Sequence, residues 1–448
     1  MGANRDFHRQ NQSFPVRPVT LVAFTGPAGV GKTHRLMDAT GDALAAAPLQ
    51  DGQRVLAMTF MHGSRRRLDD RLRGVRGLRS RYVCMTVDRF AWELCTRWRS
   101  LRRHEGMADL REDQYDATCN TAGALMENDE VRAWVARSYP YVVVDEAQDL
   151  KPQRLRIFRA LEPDVSMLVA ADEFQCLIPE LRPNPAIAWL NDRSQPVALN
   201  VQQRTDQAVL IATAHAIRQG QNVIAGGNLT IMAAPGRQPF NLAATCVANA
   251  IAWNGGNDIA LITPSKAGGF ASTVVSRVGS GPLGQQQNGP YHIQWEQSDE
   301  DAAGQVVADL NLPDNGDVNA TLAALGTANA HPALHMCRDW VLHNRSLTGQ
   351  TVFQPALVRE QLVACFRRYR RFARSDSVRM KAMTVHQAKN REFEGVIVLW
   401  PYTVAGSAEQ QRRLLYNAVT RAKRWCAVIV QNQSMLHQPP FRAAGATE

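Results

Sequence analysis

The chain has 448 residues, of which 45% are apolar and 21% charged, and this composition is typical of a globular protein with two or three domains. No apolar stretch reaches the ~18 residues that a membrane-spanning helix needs, and the amino-terminal sequence lacks the apolar core of a signal peptide. The eight cysteines are scattered without a C-x-x-C pair, which argues against zinc and disulfide frameworks. We therefore expect a cytoplasmic protein with no membrane partner.

The basic side chains outnumber the acidic ones and are nearly all arginine. The formal net charge is +10, and only six of the 51 basic residues are lysines. A polyanionic partner explains this balance, and so does a proteome that uses arginine where others use lysine. Charge alone leaves both interpretations open.

Near-continuous apolar runs rich in β-branched residues predict four buried strands, at 19–24, 141–146, 165–172 and 396–400. Strands that are apolar on both faces are typical of parallel sheets covered by helices, and helical patterns such as that of Arg154–Leu161 lie between them. We therefore predict an α/β fold. The stretch 268–317 is rich in turn formers, which indicates a domain boundary, a long loop or a small inserted subdomain.

The first predicted strand runs into GPAGVGKT, residues 26–33, and a helical pattern follows. This matches the P-loop pattern G-x-x-x-x-G-K-[ST] in the strand–loop–helix setting that the motif requires. Backbone N–H groups of such a loop surround phosphates, the lysine reaches the terminal phosphates, and the threonine hydroxyl contacts Mg²⁺. The residues predicted to hold the nucleotide are Gly26, Ala28, Gly29, Val30, Gly31, Lys32, Thr33 and His34, with Thr33 also at the metal.

The second predicted strand ends in the acidic sequence DEAQD, residues 145–149. In an open α/β sheet the ligand crevice lies at the carboxyl ends of the strands, which brings these acids beside the phosphate loop. Asp145 is then predicted to hold Mg²⁺ through water, and Glu146 to be the general base toward the attacking water. Taken alone, the acids would equally cap the helix after Lys151; beside a P-loop, the catalytic interpretation is favoured.

A P-loop followed by D-E-A-Q-D resembles the superfamily 1 helicases, and within them the UvrD/Rep/PcrA group. Further segments resemble the motifs of that group in the same order along the chain. They are AMTFMHGSRRRL (57–68), TVDRFA (86–91), LVAADEFQCL (168–177), LNVQQRTD (199–206), MTVHQAKNREFEGVIVL (383–399) and RRLLYNAVTRAKRWC (412–426). The resemblance implies an ATP-dependent DNA helicase or translocase, moving 3′ to 5′, with ATP and Mg²⁺ as cofactors.

The resemblance also implies two RecA-like parallel-sheet lobes with short accessory insertions. The first lobe is predicted at 1–199, with an insertion at about 92–137, and the second at 200–265 and 376–448. A reduced accessory insertion is predicted at 266–375. Because both insertions are shorter than those of UvrD-like enzymes, processive unwinding is less expected than DNA-stimulated ATP hydrolysis.

The remaining catalytic roles also come from the resemblance. Gln175 is implied to sense the γ-phosphate, while Arg204 and Arg421 are implied to be arginine fingers that stabilise the transferring phosphoryl group. We expect Arg421 to lie on a helix. Glu392 corresponds to the ribose contact of the family.

Some positions depart from the pattern of the family. The aromatic residue that stacks on adenine is Gln203 here, so we expect weaker base selectivity, with Gln10 or Gln12 as the candidate adenine-reading residue. The glycine of the third motif is Ala171, and that of the fifth motif is Asn390. These changes leave the ATP-hydrolysing residues intact.

The resemblance implies that Phe60, His62, Thr86, Arg182, Thr384 and His386 contact DNA. Phe60 is the candidate for base stacking. Two arginine-rich runs, Arg65–Arg81 and Arg367–Arg374, are predicted to flank a single-strand groove whose floor includes Phe60 and His386. A solvated charged face is the alternative for both runs.

Two functions stay open on the sequence. The first is a translocase or helicase on single-stranded or tailed DNA, in DNA repair or a related pathway. The second is a DNA-sensing regulatory ATPase, such as a subunit of an antiviral defence system against phage, that signals to a protein partner without processive unwinding. The complete motif set favours the first function, and the short insertions favour the second.

Overall fold

The computed structural model describes residues 19–60, 62–111, 114–235, 239–296, 304, 306, 310–326, 331–370 and 379–443. The chain divides into two compact units, Met1–Asp206 and Gln207–Glu448. Each unit is built round one six-stranded sheet. Among the described residues, no helix combines the length and apolar character that crossing a membrane requires.

The first unit alternates strands and helices. Its strands are β1 (Leu21–Thr25), β2 (Val55–Thr59), β3 (Tyr82–Thr86), β4 (Tyr141–Val144), β5 (Ser166–Ala171) and β6 (Val197–Ala198). Its helices are α1 (Lys32–Ala46), α2 (His62–Leu72), α3 (Val87–Arg97), α4 (Arg99–His104), α5 (Tyr115–Met126), α6 (Asp129–Ser138), α7 (Pro152–Leu161) and α8 (Pro185–Arg193). All strand pairs are parallel, in the order β3-β2-β4-β5-β1-β6, so the carboxyl ends of β4, β5 and β1 are neighbours at one edge.

Successive residues of the central strands enter two different cores, one on each face of this sheet. Leu56 and Val142 belong to one buried cluster, whereas Ala57 and Val143 belong to the other. Because both faces are covered, the strands are apolar at nearly every position, which is why they appear as continuous runs in the sequence. Helices α3, α5 and α6, which include most of the insertion predicted at about 92–137, pack into the same core as the strands.

The second unit repeats the arrangement. Its strands are β7 (Leu229–Ala233), β8 (Ile259–Thr263), β9 (Gln294–Trp295), β10 (Met380–Thr384), β11 (Phe393–Trp400) and β12 (Ala422–Val430). Its helices are α9 (Ala208–Gln219), α10 (Pro239–Asn254), α11 (Phe270–Ser280), α12 (Val318–Leu325), α13 (Pro332–Thr348), α14 (Pro355–Arg370), α15 (Val385–Ala388) and α16 (Ala408–Val419). The strands are again all parallel, in the order β7-β12-β11-β8-β10-β9.

These two sheets confirm the predicted α/β class with two RecA-like lobes, and the four predicted strands are β1, β4, β5 and β11. The prediction of a long loop over residues 268–317 is wrong for part of that stretch. Residues 270–280 form α11, whose Phe270, Val274 and Val278 enter the core of the second sheet, and β9 adds an edge strand. The flanking glycines and serines conceal this helical apolar spacing in the sequence.

Helices α12, α13 and α14 form a small helical subdomain with a core of its own. Val318, Cys337, Phe353 and Phe366 are among its buried residues. These side chains do not belong to the core of the second sheet.

Gly395 shows how tightly the second sheet is packed. A Cβ added at Gly395 would lie 2.2 Å from the Trp425 ring, its register partner on β12. Gly395→Ala should therefore lower the free energy of unfolding by about 1–3 kcal/mol through overpacking. Urea unfolding followed by tryptophan fluorescence measures this, with Gly281→Ala as the control because an added Cβ there meets open space. Equal unfolding midpoints for the two variants would contradict the packing argument.

Candidate nucleotide-binding site

The loop between β1 and α1 is shaped by glycines. Gly26 and Gly29 have φ angles of 149° and 84°, which residues with a side chain rarely adopt. A Cβ at Gly26 would lie 2.2 Å from the carbonyl oxygen of Leu199, so backbone passes directly against the loop there. The side chains of Ala28 and Val30 are buried, which fixes the loop against the protein interior.

The loop and the acidic strand end meet through one hydrogen bond. The Thr33 hydroxyl, in the first turn of α1, donates to Asp145 Oδ2 at 3.0 Å. Asp145 follows β4, and its N–H donates to the Met58 carbonyl at 3.3 Å, which ties it to the end of β2. Thr33 and Asp145, the two predicted Mg²⁺ contacts, are thus in direct contact. A hydroxyl and a carboxylate oxygen on one site are a donor set suited to Mg²⁺.

Burial makes this site electrostatically unusual. Desolvation, followed by the nearby charge of Glu146, raises the pKa of Asp145 well above its ordinary value, although the Thr33 hydrogen bond opposes the shift. Desolvation also lowers the pKa of Lys32, with the charge of Arg204 acting in the same direction and Asp172 acting against it. Both charged forms are therefore destabilised by burial, and each is stabilised by its neighbours of opposite sign.

The Lys32 amine lies inside the loop. Its Nζ donates to the carbonyls of Gly26 and Pro27 at 2.9 and 2.8 Å, and it lies 3.7 Å from Asp172 Oδ2. An amine in this position can exchange the loop carbonyls for phosphate oxygens without leaving the site.

Glu146 has a left-handed backbone, with φ of 62° and ψ of 39°. This conformation costs a non-glycine residue about 1–2 kcal/mol, so surrounding contacts must stabilise it. The Gln148 amide supplies one of them, because its Nε2 donates to Glu146 Oε2 at 2.5 Å. Gln148 is fully buried, and its Oε1 accepts the Asp172 N–H at 2.8 Å, which connects the ends of β4 and β5.

The predicted phosphate sensor joins the same network. Gln175 is 4% exposed, and its Nε2 donates to Asp172 Oδ2 at 2.8 Å. Asp172 in turn caps the 3₁₀ turn Glu173–Gln175. Gln148 and Asp172, to which the sequence assigned no separate role, are therefore the residues that connect Glu146 to Gln175. Their buried polar side chains directly after apolar strands were the available signal.

The segment after β6 lies against the loop. The N–H groups of Gln203 and Arg204 both donate to the Gly29 carbonyl, at 2.8 and 3.1 Å. Gln202 Nε2 donates to the Ala28 carbonyl at 2.7 Å. Arg204, a predicted arginine finger, is thus held beside the phosphate loop within the first unit.

The other predicted residues of the first unit lie farther from the loop. His34 is exposed on α1, where its ring lies 3.0 Å from Asp38. Phe60 is half-buried at the end of β2, and Thr86 ends β3, where its hydroxyl caps α3 by accepting the Arg89 N–H at 3.2 Å. Arg182 is half-buried between the 3₁₀ turn Pro179–Leu181 and α8. The His62 side chain, like Gln10 and Gln12, lies outside the described part of the chain.

In the second unit, Thr384 ends β10 and forms a capping box with Gln387 at the start of α15. His386 is exposed on that helix, and partial desolvation together with the charge of Lys389 lowers its pKa. Asn390, at the glycine position of the family motif, has a left-handed φ of 61°. Asparagine tolerates this region better than most residues, which explains how it replaces glycine.

Glu392 and Arg421 lie at the start of β11 and β12. Glu392 Oε2 is 3.2 Å from Lys423 Nζ. Arg421 is 1% exposed, and its guanidinium donates to the Asn417 carbonyl at 2.9 Å and the Arg391 carbonyl at 3.5 Å. The expectation that Arg421 lies on a helix is wrong, because α16 ends at Val419 and Arg421 precedes β12.

The expectation that the whole run Arg65–Arg81 flanks Phe60 is wrong for its second half. Helix α2 starts after the carboxyl end of β2 and returns to the amino edge of the sheet, where β3 begins. Residues 73–81 therefore lie about one strand length from Phe60, roughly 16 Å at ~3.3 Å per residue. The run Arg367–Arg374 extends beyond the described residues, as do the side chains of Arg367, Arg368 and Arg370.

Comparison with known proteins bears on both units. A family model for the AAA domain matches residues 10–179, and a model for the UvrD-like helicase C-terminal domain matches residues 380–429. Among solved structures, the chain is similar to Arterivirus nonstructural protein 10 (helicase), solved in complex with DNA, at 11% identity and a TM-score of 0.38. The alignment covers 93% of this chain and 62% of that one, so this chain spans less than two thirds of its length. No curated protein matches the chain.

The two domain matches follow the order that the motifs require, and each covers less than half of the chain. The segment 380–429 is similar to the C-terminal domain of UvrD-like helicases, and the segment 10–179 is similar to an AAA domain. The P-loop and the DEAQD sequence lie inside the first match, and motifs from Thr384 to Arg421 lie inside the second.

Gln148→Met tests the buried network of this site. The substitution keeps the side-chain volume but leaves the Asp172 N–H without its partner, which costs about 1–3 kcal/mol of unfolding free energy. Gln50→Met is the control, since the Gln50 side chain makes no hydrogen bond to the described residues. Urea unfolding should show a lower midpoint for the Gln148 variant alone. Identical midpoints would show that the network does not stabilise the first unit.

Proposed function

We propose that the protein hydrolyses ATP to move 3′ to 5′ along single-stranded DNA, as a translocase or helicase. The hydrogen bond between Thr33 and Asp145 is the observation that carries the proposal. It joins the phosphate loop to the acidic strand end with the donors that a nucleotide-bound Mg²⁺ needs. When bound there, Mg²⁺ supplies positive charge that offsets the charge of the phosphates.

Glu146 has the attributes of a general base. Its carboxylate directly follows the Asp145 contact, and the buried Gln148 amide fixes its orientation. A base acts when its oxygen accepts the proton of the attacking water as the new bond to phosphorus forms. The Gln148–Asp172–Gln175 network is proposed to link that orientation to the presence of a γ-phosphate.

Two arginines are proposed to stabilise the transferring phosphoryl group. Two observations support this role for Arg204. Its backbone N–H donates to the Gly29 carbonyl, and its charge lowers the pKa of the Lys32 amine. The same role is supported for Arg421 by its hydrogen bond to the Arg391 carbonyl. Arg391 directly precedes Glu392, the proposed ribose contact, so Arg421 lies close to that residue. Arg421 is buried with its guanidinium N–H groups on backbone carbonyls, and this holds it in one orientation, as phosphate recognition requires.

The proposed single-strand track uses the carboxyl edge of each sheet. Phe60 and Thr86 lie at neighbouring strand ends of the first unit, and the chain continues from Thr384 to His386 at a strand end of the second. Desolvation and then the charge of Lys389 lower the pKa of His386, which favours a hydrogen-bonding or stacking contact with DNA over a cationic one.

The regulatory ATPase stays a second candidate because of one observation. The first insertion, in α3, α5 and α6, shares the core of the first sheet instead of forming a separate subdomain. A chain without that subdomain has less surface for duplex ahead of the single strand. A strand-displacement assay on a 3′-tailed duplex distinguishes the two: unwinding supports the helicase, and DNA-stimulated ATPase without unwinding supports the regulator.

Glu146→Gln should retain ATP binding and lose turnover by ~10²–10⁴-fold, because the amide fits the site but accepts no proton. Lys32→Ala should lose binding and turnover together. Equilibrium binding of a fluorescent ATP analogue and steady-state ATPase rates separate the two effects. The control is Glu180→Gln, an exposed carboxylate outside the site. Wild-type turnover in the Glu146 variant would remove Glu146 from the mechanism.

Arg421→Ala should depress kcat by ~10³-fold or more with little change in the KM for ATP, as an arginine finger acts mainly in the transition state. Arg421→Lys should recover little, because lysine lacks the planar fork. Arg424→Ala, at an exposed position on β12, the strand directly after Arg421, is the control, and thermal unfolding of each variant checks folding. A raised KM with unchanged kcat would make Arg421 a ground-state binder only.

A further inference from the structure

The amino-terminal ends of the strands of the first sheet form the side of the sheet opposite the nucleotide loop, which we call its amino edge. A group of exposed arginines lies there. They are Arg54, Arg76, Arg79, Arg97 and Arg137, and we call them the amino-edge strip. Arg54 precedes β2, Arg76 and Arg79 precede β3, and Arg137 lies in the last turn of α6 before β4. Since β3, β2 and β4 are neighbours in that order, these side chains originate from adjacent strand starts.

Backbone hydrogen bonds fix the three strand starts together. The Val55 N–H donates to the Arg81 carbonyl at 3.0 Å, which joins the starts of β2 and β3. The Arg54 N–H donates to the Ser138 carbonyl at 3.0 Å, and Gln53 Nε2 donates to the Arg137 carbonyl at 3.2 Å. The strip therefore rests on a rigid edge of the sheet.

Arg97 extends the strip from the end of α3. Its guanidinium lies 4.2 Å from the centre of the Trp134 ring on α6, so that ring face is occupied. Burial and the charge of Glu93 raise the pKa of the Tyr139 hydroxyl, and Arg54 and Arg97 oppose them, which places both guanidinium groups near one residue just before β4.

Residues 73–81 present their arginines through a series of turns. The Leu78 N–H donates to the Val75 carbonyl at 3.3 Å, and the Arg81 N–H donates to the Leu78 carbonyl at 2.7 Å. Val75 and Leu78 are buried, so Arg76 and Arg79, one residue after each, point to solvent. Arg79 and Ser80 have left-handed φ angles of 42° and 64°, which turn the chain sharply just before β3.

Among the described residues, carboxylates lie near the strip but form no ion pair with its arginines. None of its five arginines has a carboxylate within ion-pair distance there. The acids in the surrounding segments bind other arginines: Asp69 pairs with Arg73, and Glu93 pairs with Arg89. Asp51 is exposed near Arg54 in sequence, and Glu93 acts on Tyr139 beside Arg54 and Arg97. These carboxylates offset only part of the charge of the five guanidinium groups, so the edge stays positive.

We propose that the amino-edge strip binds the phosphate backbone of duplex nucleic acid. Guanidinium groups bind phosphates in a bidentate manner, and a row of them on a rigid edge favours a regular polyanion. Single-strand sites also need exposed aromatic faces for stacking, and here the Trp134 face is covered by Arg97. The strip lies across the sheet from Phe60, so it is separate from the proposed single-strand track and does not depend on ATP hydrolysis.

The test compares two triple variants of the full chain, without nucleotide, that carry the same change in charge. One has Arg54→Gln, Arg79→Gln and Arg137→Gln. The control has Arg159→Gln, Arg277→Gln and Arg359→Gln, three exposed arginines outside the strip. Fluorescence anisotropy with a short blunt duplex is measured over a salt series. The log–log slope should become shallower by about 0.9 for each phosphate that the strip variant no longer neutralises, and it should stay at the wild-type value in the control.

Other outcomes overturn the proposal. Equal slopes for the two variants would make the strip a solvated face. An equally shallow slope with single-stranded DNA would assign the strip to the single-strand track. Unchanged duplex binding together with weaker binding of polyglutamate would assign it to an acidic protein. The ATPase rate at saturating single-stranded DNA, expected to be the same in both variants, shows separately whether the proposed function holds.

Discussion

A single hydrogen bond, from the Thr33 hydroxyl to the Asp145 carboxylate, joins the two halves of the site in the first unit. It forms only if β1 and β4 end at the same edge of the sheet with β5 between them, and the parallel order provides this arrangement. A carboxylate is costly to bury, and here burial and Glu146 disfavour the charged form of Asp145 while Lys32 opposes them. The site is therefore a set of mutually dependent charges.

A network of buried polar side chains connects the acidic residues after β4 to the residues after β5. The Gln148 amide bonds Glu146 on one side and the Asp172 backbone on the other, and Asp172 holds Gln175. Each residue follows a fully buried strand, so its polar atoms have few partners other than one another. This network fixes the residues that follow β4 and β5 to one another.

The arginines of the chain divide into groups with different surroundings. Arg154 and Arg132 bind carboxylates, and Arg421 bonds backbone carbonyls in a buried position. The amino-edge strip has no carboxylate partners among the described residues, and one half of the run from Arg65 to Arg81 contributes to it. Net charge therefore carries little information on this protein until the fold assigns each guanidinium a neighbour.

The amino-acid sequence alone was enough to locate buried strands in both sheets, the phosphate loop and the acids at a strand end, because fully buried parallel strands and a P-loop leave continuous local patterns. It did not reveal α11, whose apolar spacing is concealed between glycines, or the place of Arg421 after α16. The role of Gln148 and the separation of Arg79 from Phe60 needed the tertiary structure. Both depend on strand order and on which edge a residue reaches, and residues far apart in sequence decide these together.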